Sequence, residues 1–317
     1  MQARDHINAI HQAKALNDPN SSTLAHTLET FIQTAFNGNA SFEMLQNADD
    51  ALGQEVRFLF IPSRDPNALH AGHLMFSHSG KHFSETDVEK ISDNAQKKHQ
   101  DKSGDQKKTG FKGVGFKSIY KISRKIIIWS NEYRFRFDKD YPQWQNTDPE
   151  RKYPWPIIPI WTEEHEIDEE LKKYINPAHV NFIISVNKGS EVQQELEFLA
   201  NNPTIILFLR HVSSITINTG IGPETTLTLN KDNPQAYQLS KNGSIISSWV
   251  IKNHPLKITD EIRTSLRTLS EYECPDRLKT AETITLSFAA KIDPHGKIIP
   301  ITDATFSSFL PTKTRSG

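Results

Sequence analysis

Polar and apolar positions change period along the chain, and each change marks an element. From 41 to 52 they recur at helical spacing: Glu43, Asn47 and Asp50 share one face, while Met44, Ala48, Ala51 and Leu52 fall toward the other. Val56 to Ile61 reads as a strand stopped by Pro62, and His73 to Ser77 as its hairpin partner across a polar turn. Ser84-Glu85-Thr86-Asp87 carries cap chemistry for a helix buried through Val88 and Ile91. Two helices, 3–16 and 22–36, precede these elements, with Asn20, Ser21 and Ser22 as caps of the second. Further strands are expected at 125–130, 133–137 and 180–186, and a helix over 190–209. The crowding of Tyr153-Pro154-Trp155-Pro156 excludes regular helix from the connection at 142–162. From about 218 the texture turns to short β-like runs at 225–229, 247–251 and 283–289.

The stripe formed by Glu43, Asn47 and Asp50 is either a solvated helix face or one wall of a polar site. A second feature favours the site. Thr109-Gly110-Phe111-Lys112-Gly113-Val114-Gly115-Phe116-Lys117-Ser118 places three glycines in six positions ahead of an apolar-periodic run through Phe116, Ile119, Tyr120 and Ile122. This describes a loop opening into a helix, where backbone N–H groups and the helix dipole favour an anion, phosphate above all. The loop is not a P-loop, and no strand leads directly into it as a dinucleotide fingerprint requires. The stretch from Asp93 to Lys108 is polar and lysine-rich, with too little apolar surface to offset the entropy of ordering it.

Composition narrows the picture only at its edges. At 317 residues the chain can bury a sizeable core, and its 37 basic and 38 acidic residues leave a formal net charge of -1. That balance gives no support for a nucleic-acid surface. One cysteine, Cys274, rules out an intramolecular disulfide framework and suits a reducing compartment. The N-terminal residues lack an apolar signal core and no run approaches the ~18 apolar residues a membrane span needs. A cytoplasmic protein without membrane contact is expected.

The order Glu43-x-x-x-Asn47-x-x-Asp50-Ala51, then Gly110-x-x-Gly113-x-Gly115-Phe116, resembles the paired motifs of the GHKL (Bergerat-fold) ATPases, which include gyrase, histidine kinases and large heat-shock chaperones. Gln46-Asn47-Ala48-Asp49-Asp50-Ala51, Phe83 after a Ser-Gly turn, and Gly115-Phe116-Lys117-Ser118-Ile119-Tyr120 are similar to the sacsin-like and NO VEIN-like branch. The likeness spans roughly 25–217, Ile205 to Arg210 included. It implies an α+β fold: a two-layer α/β sandwich whose mixed, mostly antiparallel sheet is covered by helices, with part of a second α/β domain of middle, or transducer, type following. It divides the chain into an ATP-binding domain at 1–217, with a lid at about 93–116, and the beginning of a middle domain at 218–317. Phe306 to Thr312 resembles a segment inside that second domain, so the chain is expected to be a piece of a longer protein.

The same resemblance implies Mg²⁺-dependent ATP binding and slow hydrolysis, with lid closure and conformational change in a larger chaperone-like or defence-type protein. A nucleotide-binding module without significant turnover and a DNA-coupled ATPase of the same superfamily are the alternatives. Glu43 matches the general base, Asn47 the Mg²⁺ ligand, and Asp50 the carboxylate lining the nucleotide side. Thr109, Gly110, Lys112, Gly113, Val114, Gly115 and Phe116 match the phosphate-wrapping segment. Lys112 either meets the γ-phosphate or is solvated, and Lys117 is expected at the surface of the following helix. Expected partners are ATP and ADP, a client or partner protein, and a second copy of the chain in a nucleotide-dependent dimer.

One position departs from the pattern. The family reads adenine with aspartate in Asp-x-Gly, whereas this chain has His78-Ser79-Gly80. Either His78, in the triplet completed by Gly80, takes the aspartate's place, a neutral imidazole nitrogen accepting from the adenine amino group, or adenine selection is weaker than usual, or water and Asp50 share the task. His70, His73, His78 and His82 invite a zinc reading, but the segment straddles a strand and brings no cysteine or convergent carboxylate. The family's phosphate-side threonine has no clean counterpart. Asn181 stands near its place, and no role is assigned to it.

Overall fold

A computed structural model of the protein describes residues 2–16, 24–30, 40–65, 68–93, 115–145, 153–269, 279–301, 305–308 and 310–315. Thr109, Gly110, Lys112, Gly113, Val114, Cys274 and most of the expected lid lie outside them. The helices are α1 (Ala3–Leu16), α2 (described at 24–30), α3 (Ala40–Asp50), α4 (Glu85–Ile91), α5 (Glu169–Lys172), α6 (Gly189–Asn201) and α7 (Asp260–Thr268). The strands are β1 (Glu55–Pro62), β2 (Gly72–His78), β3 (Ser123–Ser130), β4 (Tyr133–Asp138), β5 (Ile160–Trp161), β6 (Val180–Val186), β7 (Ser214–Asn218), β8 (Thr225–Asn230), β9 (Tyr237–Lys241), β10 (Ser244–Lys257) and β11 (Thr283–Ile292). They form one sheet in the order β11-β10-β9-β8-β7-β1-β2-β6-β3-β4-β5. A separate two-stranded ribbon joins β12 (Thr305–Ser308) to β13 (Leu310–Arg315). The fold is mixed α+β with a mostly antiparallel sheet; β1 and β7 run parallel.

Strand alternation decides which face carries the helices. Phe58, Phe60, Leu74, Phe76, Ile126, Ile128, Phe182 and Ile184 turn to one side, where α1, α3 and α6 complete the main core through Ile7, Met44, Leu45, Ala48, Val192, Leu196 and Leu199. Each such side chain contributes roughly 1.5–3 kcal/mol by leaving water. The intervening Leu59, Met75, Ile127 and Ile183 turn to the other side, against Ile167 and Leu171 of the α5 region. Both faces are therefore covered at the centre of the sheet, which explains why these strands are nearly continuous in apolar character.

Local chemistry accounts for the boundaries. Ser84 and Asp87 form a reciprocal capping box at the start of α4, as the sequence predicts. The expected helix over 190–209 instead ends at Asn201. Pro203 has no N–H to continue the ladder, and the chain proceeds as a 3-10 helix over Pro203–Phe208. The run after the glycines is likewise a 3-10 helix, Gly115–Lys121, since β3 begins only two residues later. Leu52 does not join the apolar face of α3. It stands 44% exposed with φ +63°, where the chain leaves the helix. The helix α7, capped by Thr259, was not expected within the β-like region. Among the described residues no helix is long and apolar enough to cross a membrane.

Lys117 overturns its expectation most clearly. It is 1% exposed, and its ammonium donates to the Asp93 carbonyl at 2.5 Å, while Lys14 pairs with the Asp93 carboxylate at 3.3 Å. Burial, chiefly, and the nearby Lys14 lower its pKa to about 7. Between pH 7 and 10.5 the unfolded chain then holds more protons than the folded one, so stability rises with pH across that window, by up to about 5 kcal/mol. Denaturant unfolding of wild type at pH 7, 8.5 and 10 is expected to show the rise and Lys117→Met to flatten it. Parallel curves for the two proteins would contradict a buried, weakly basic Lys117.

Candidate functional site

The helix α3 is fastened at both ends by partners distant in sequence. At its start the Ser41 N–H and hydroxyl donate to the Glu195 carboxylate of α6 at 3.1 and 2.8 Å, placing negative charge where the helix dipole favours it. At its end Asp49, 0% exposed, accepts from the backbone N–H of Arg210 at 3.2 Å, His211 at 2.7 Å and Val212 at 3.0 Å. The Arg210 guanidinium adds a bond to Asp49 at 3.2 Å and a further ion pair with Asp50. A buried carboxylate stands only if its oxygens are satisfied in this way.

The turn after β2 is pressed against the same helix end. Lys81 N–H donates to the Ala51 carbonyl at 2.8 Å, and the Ser79 hydroxyl accepts from Gln54 and Glu55 N–H, each at 3.0 Å. A Cβ on Gly80 would lie 2.7 Å from the Ala51 carbonyl oxygen, so only glycine permits the approach. The result is a cavity of about 330 Å³ lined by Met44, Asn47 and Asp50 of α3 with Ala51 just after it, by Phe76 and His78 of β2, by Lys81, His82 and Phe83 of the following turn, and by Asp87, Lys90 and Ile91 of α4. Phe116, Ile119 and Phe182 close it. Ring centroids of Phe76, Phe116 and Phe83 lie 5.6, 5.9 and 6.3 Å from that of Phe182, giving the cavity an aromatic cluster among its polar lining residues.

Asn47, Asp50, His78 and Phe116 thus come together. Gly80 supports the turn behind His78, and Gly115 opens the 3-10 helix that carries Phe116. Glu43 does not line the cavity. It sits half-buried one helical turn before Asn47, and burial raises its carboxyl above the usual range. Asp50 is held by Arg210, whereas the Asn47 side-chain amide has no protein partner among the described residues.

His78 is 4% exposed, and burial, chiefly, with His179 and His82 nearby lowers its pKa to about 3, so the ring is neutral. Its Nδ1 accepts the Gly80 N–H at 3.1 Å, which assigns the proton to Nε2. The expectation that this ring accepts from an amino group is therefore inverted: its remaining nitrogen is a donor. The other histidines disperse. His70 and His73 bond to each other at 2.9 Å and His82 bonds to the Ser130 hydroxyl at 3.1 Å. Among the described residues no group of three or more His, Cys, Asp or Glu is arranged to hold a metal. Asn181, 1% exposed, organises the turn before β6 through bonds to the Asn176 and His179 carbonyls, both at 2.8 Å.

Sequence reasoning missed Asp49, Arg210 and Glu195. A signal for Asp49 existed: four residues after Leu45 it falls on the buried side of α3, where a carboxylate needs partners.

The family model for the Sacsin domain matches residues 21–190, more than half of the chain. The chain belongs to the Sacsin-domain family. Human sacsin is 36% identical over 107 residues, covering 30% of this chain and 2% of that protein's length. The chain therefore spans a small fraction of that relative. A crystal structure of the N-terminal domain of a DNA repair protein is similar at 10% identity with a TM-score of 0.35, covering 75% of this chain and 65% of that one.

The Asp49 clamp of this Sacsin-domain chain is testable by stability. Asp49→Ala strands three backbone donors and is expected to lower the unfolding free energy by about 3–4 kcal/mol, against roughly 1 kcal/mol for the partly exposed Arg210→Ala. Equal losses in chemical denaturation would place the stabilisation in the ion pair instead of the backbone bonds.

Proposed function

We propose that this chain is a nucleotide-binding module of the GHKL (Bergerat) type that binds Mg²⁺-ATP and hydrolyses it slowly. The observation that supports it best is the cavity itself, which sets Asn47 and Asp50 across from His78 and backs them with Phe76, Phe83, Phe116 and Phe182. Such a pocket suits a flat, heteroaromatic base deep inside and charged groups at the mouth. Lys81 and Lys90 add positive charge to the lining.

The donor set fits a hard divalent cation in one respect. Asn47 offers a neutral amide oxygen with no protein partner among the described residues, and Mg²⁺ takes few protein ligands beside phosphate oxygens and water. When bound, the ion supplies charge neutralisation at the phosphates. Asp50 shapes the same wall from its pair with Arg210. Glu43, one helical turn before Asn47 and made more basic by burial, is the residue matched to the base that takes a proton from water. By the same reading the segment at about 93–116 serves as lid, and nucleotide binding is coupled to a wider conformational change.

One observation favours a second reading, binding without turnover: Glu43 stands outside the lining of the cavity. Steady-state phosphate release separates the two. Glu43→Gln is expected to lower the rate by about 100-fold or more while leaving ATP affinity within about threefold. A wild type no faster than Glu43→Gln leaves a binding module without turnover, and absence of saturable Mg²⁺-ATP binding removes the nucleotide reading altogether.

A further inference from the structure

A side chain that lines a cavity and whose hydrogen-bond polarity is fixed by the backbone limits which ligand atoms can meet it there. His78 is such a group. Its Nδ1 is committed to the Gly80 N–H, and its Nε2–H has no partner among the described residues on a side chain that lines the cavity. The ring cannot turn over to exchange the two nitrogens without losing the Gly80 bond. Gly80 is itself fixed against Ala51, where there is no room for a Cβ. The polarity of the group is thereby set by the backbone.

The carboxylates that line the same cavity each already hold a protein donor. Asp50 pairs with Arg210, and Asp87 accepts from the Ser84 N–H and hydroxyl at 3.0 and 2.6 Å. A purine bearing a 6-amino group offers a donor, which His78 cannot accept; its ring nitrogens, like the oxygen of a 6-oxo purine, are acceptors that His78 can meet. A carboxylate at this position would repel a 6-oxo oxygen, whereas an N–H donor welcomes it.

We propose that His78 is a specificity-determining residue that reads the base as a hydrogen-bond donor, so that the cavity takes 6-oxo purine nucleotides as readily as 6-amino ones. This rests on the nucleotide reading above and specifies its substrate class. The base is recognised by an acceptor atom and stacked among phenylalanines, and its amino group is not what selects it.

Titration of the whole chain with Mg²⁺-ATP and Mg²⁺-ITP, followed by calorimetry, tests the proposal. The two dissociation constants are expected to agree within about fivefold, since the same single bond forms with either base. His78→Asp is expected to shift the ratio toward ATP by about tenfold or more. A wild type preferring ATP by more than about fivefold would overturn the proposal and leave the nucleotide reading standing. A folded His78→Asp with an unchanged ratio would also overturn it, because His78 would then not touch the base. Failure of both nucleotides to bind sinks the nucleotide reading and this inference together. Should His78→Asp not fold by circular dichroism, the wild-type ratio decides, with His78→Gln, whose amide can both donate and accept, expected to keep the ratio within about fivefold.

Discussion

The buried carboxylate of Asp49 is the contact on which the site and the sheet both depend. Its oxygens gather the backbone N–H groups of Arg210, His211 and Val212 at the end of α3. Immediately after that clamp, Ser213 and Ser214 N–H donate to the Gln54 carbonyl at 2.9 and 3.0 Å, and β7 enters beside β1 in the register Glu55 to Ser214. One side chain therefore fixes where α3 ends and where the parallel pairing begins. Asp50, the next residue, is drawn to the same arginine, so one wall of the cavity inherits its position from the join between the two halves of the sheet.

A single physical cause runs through the ionisable groups around this region. Burial penalises the charged form, which lowers the pKa of His78 and Lys117 and raises that of Glu43. The consequence differs with the partners available. His78 accepts a backbone N–H on one nitrogen, which leaves the other a donor on a side chain that lines the cavity. Lys117 spends its ammonium on a carbonyl, so it ties Asp93, just after α4, to the 3-10 helix at Gly115–Lys121. Glu43 stands on the same face of α3 as Asn47, a turn away from the cavity lining.

What could be read from the sequence was local. Short apolar, β-branched and aromatic runs bounded by turn residues located β1, β2, β3, β4 and β6, and the Ser84 cap located α4, since these signals are written within a few residues. The polar stripe of α3 was legible too, and Asn47, Asp50, His78 and Phe116 do meet across one cavity. What escaped was set by contacts made across long stretches of chain. Asp49 reads as a duplicate of Asp50 until Arg210 arrives 161 residues later. Lys117 looks like any helix lysine until Asp93 and α1 close over it. The tautomer of His78 depends on a turn whose tightness Gly80 permits, and no spacing rule encodes which nitrogen is left over.

The clamp also separates two notions of a domain. The family model ends at residue 190, yet the groups that hold α3 in place come from 210 to 212, and β1 receives its parallel neighbour only at Ser214. A polypeptide emerging from a ribosome can form the hairpin of β1 and β2 early, but it cannot secure the cavity until it has been extended more than a hundred residues further. The contacts that secure the cavity thus extend beyond the piece that sequence comparison delimits, and closing the chain over that distance costs entropy.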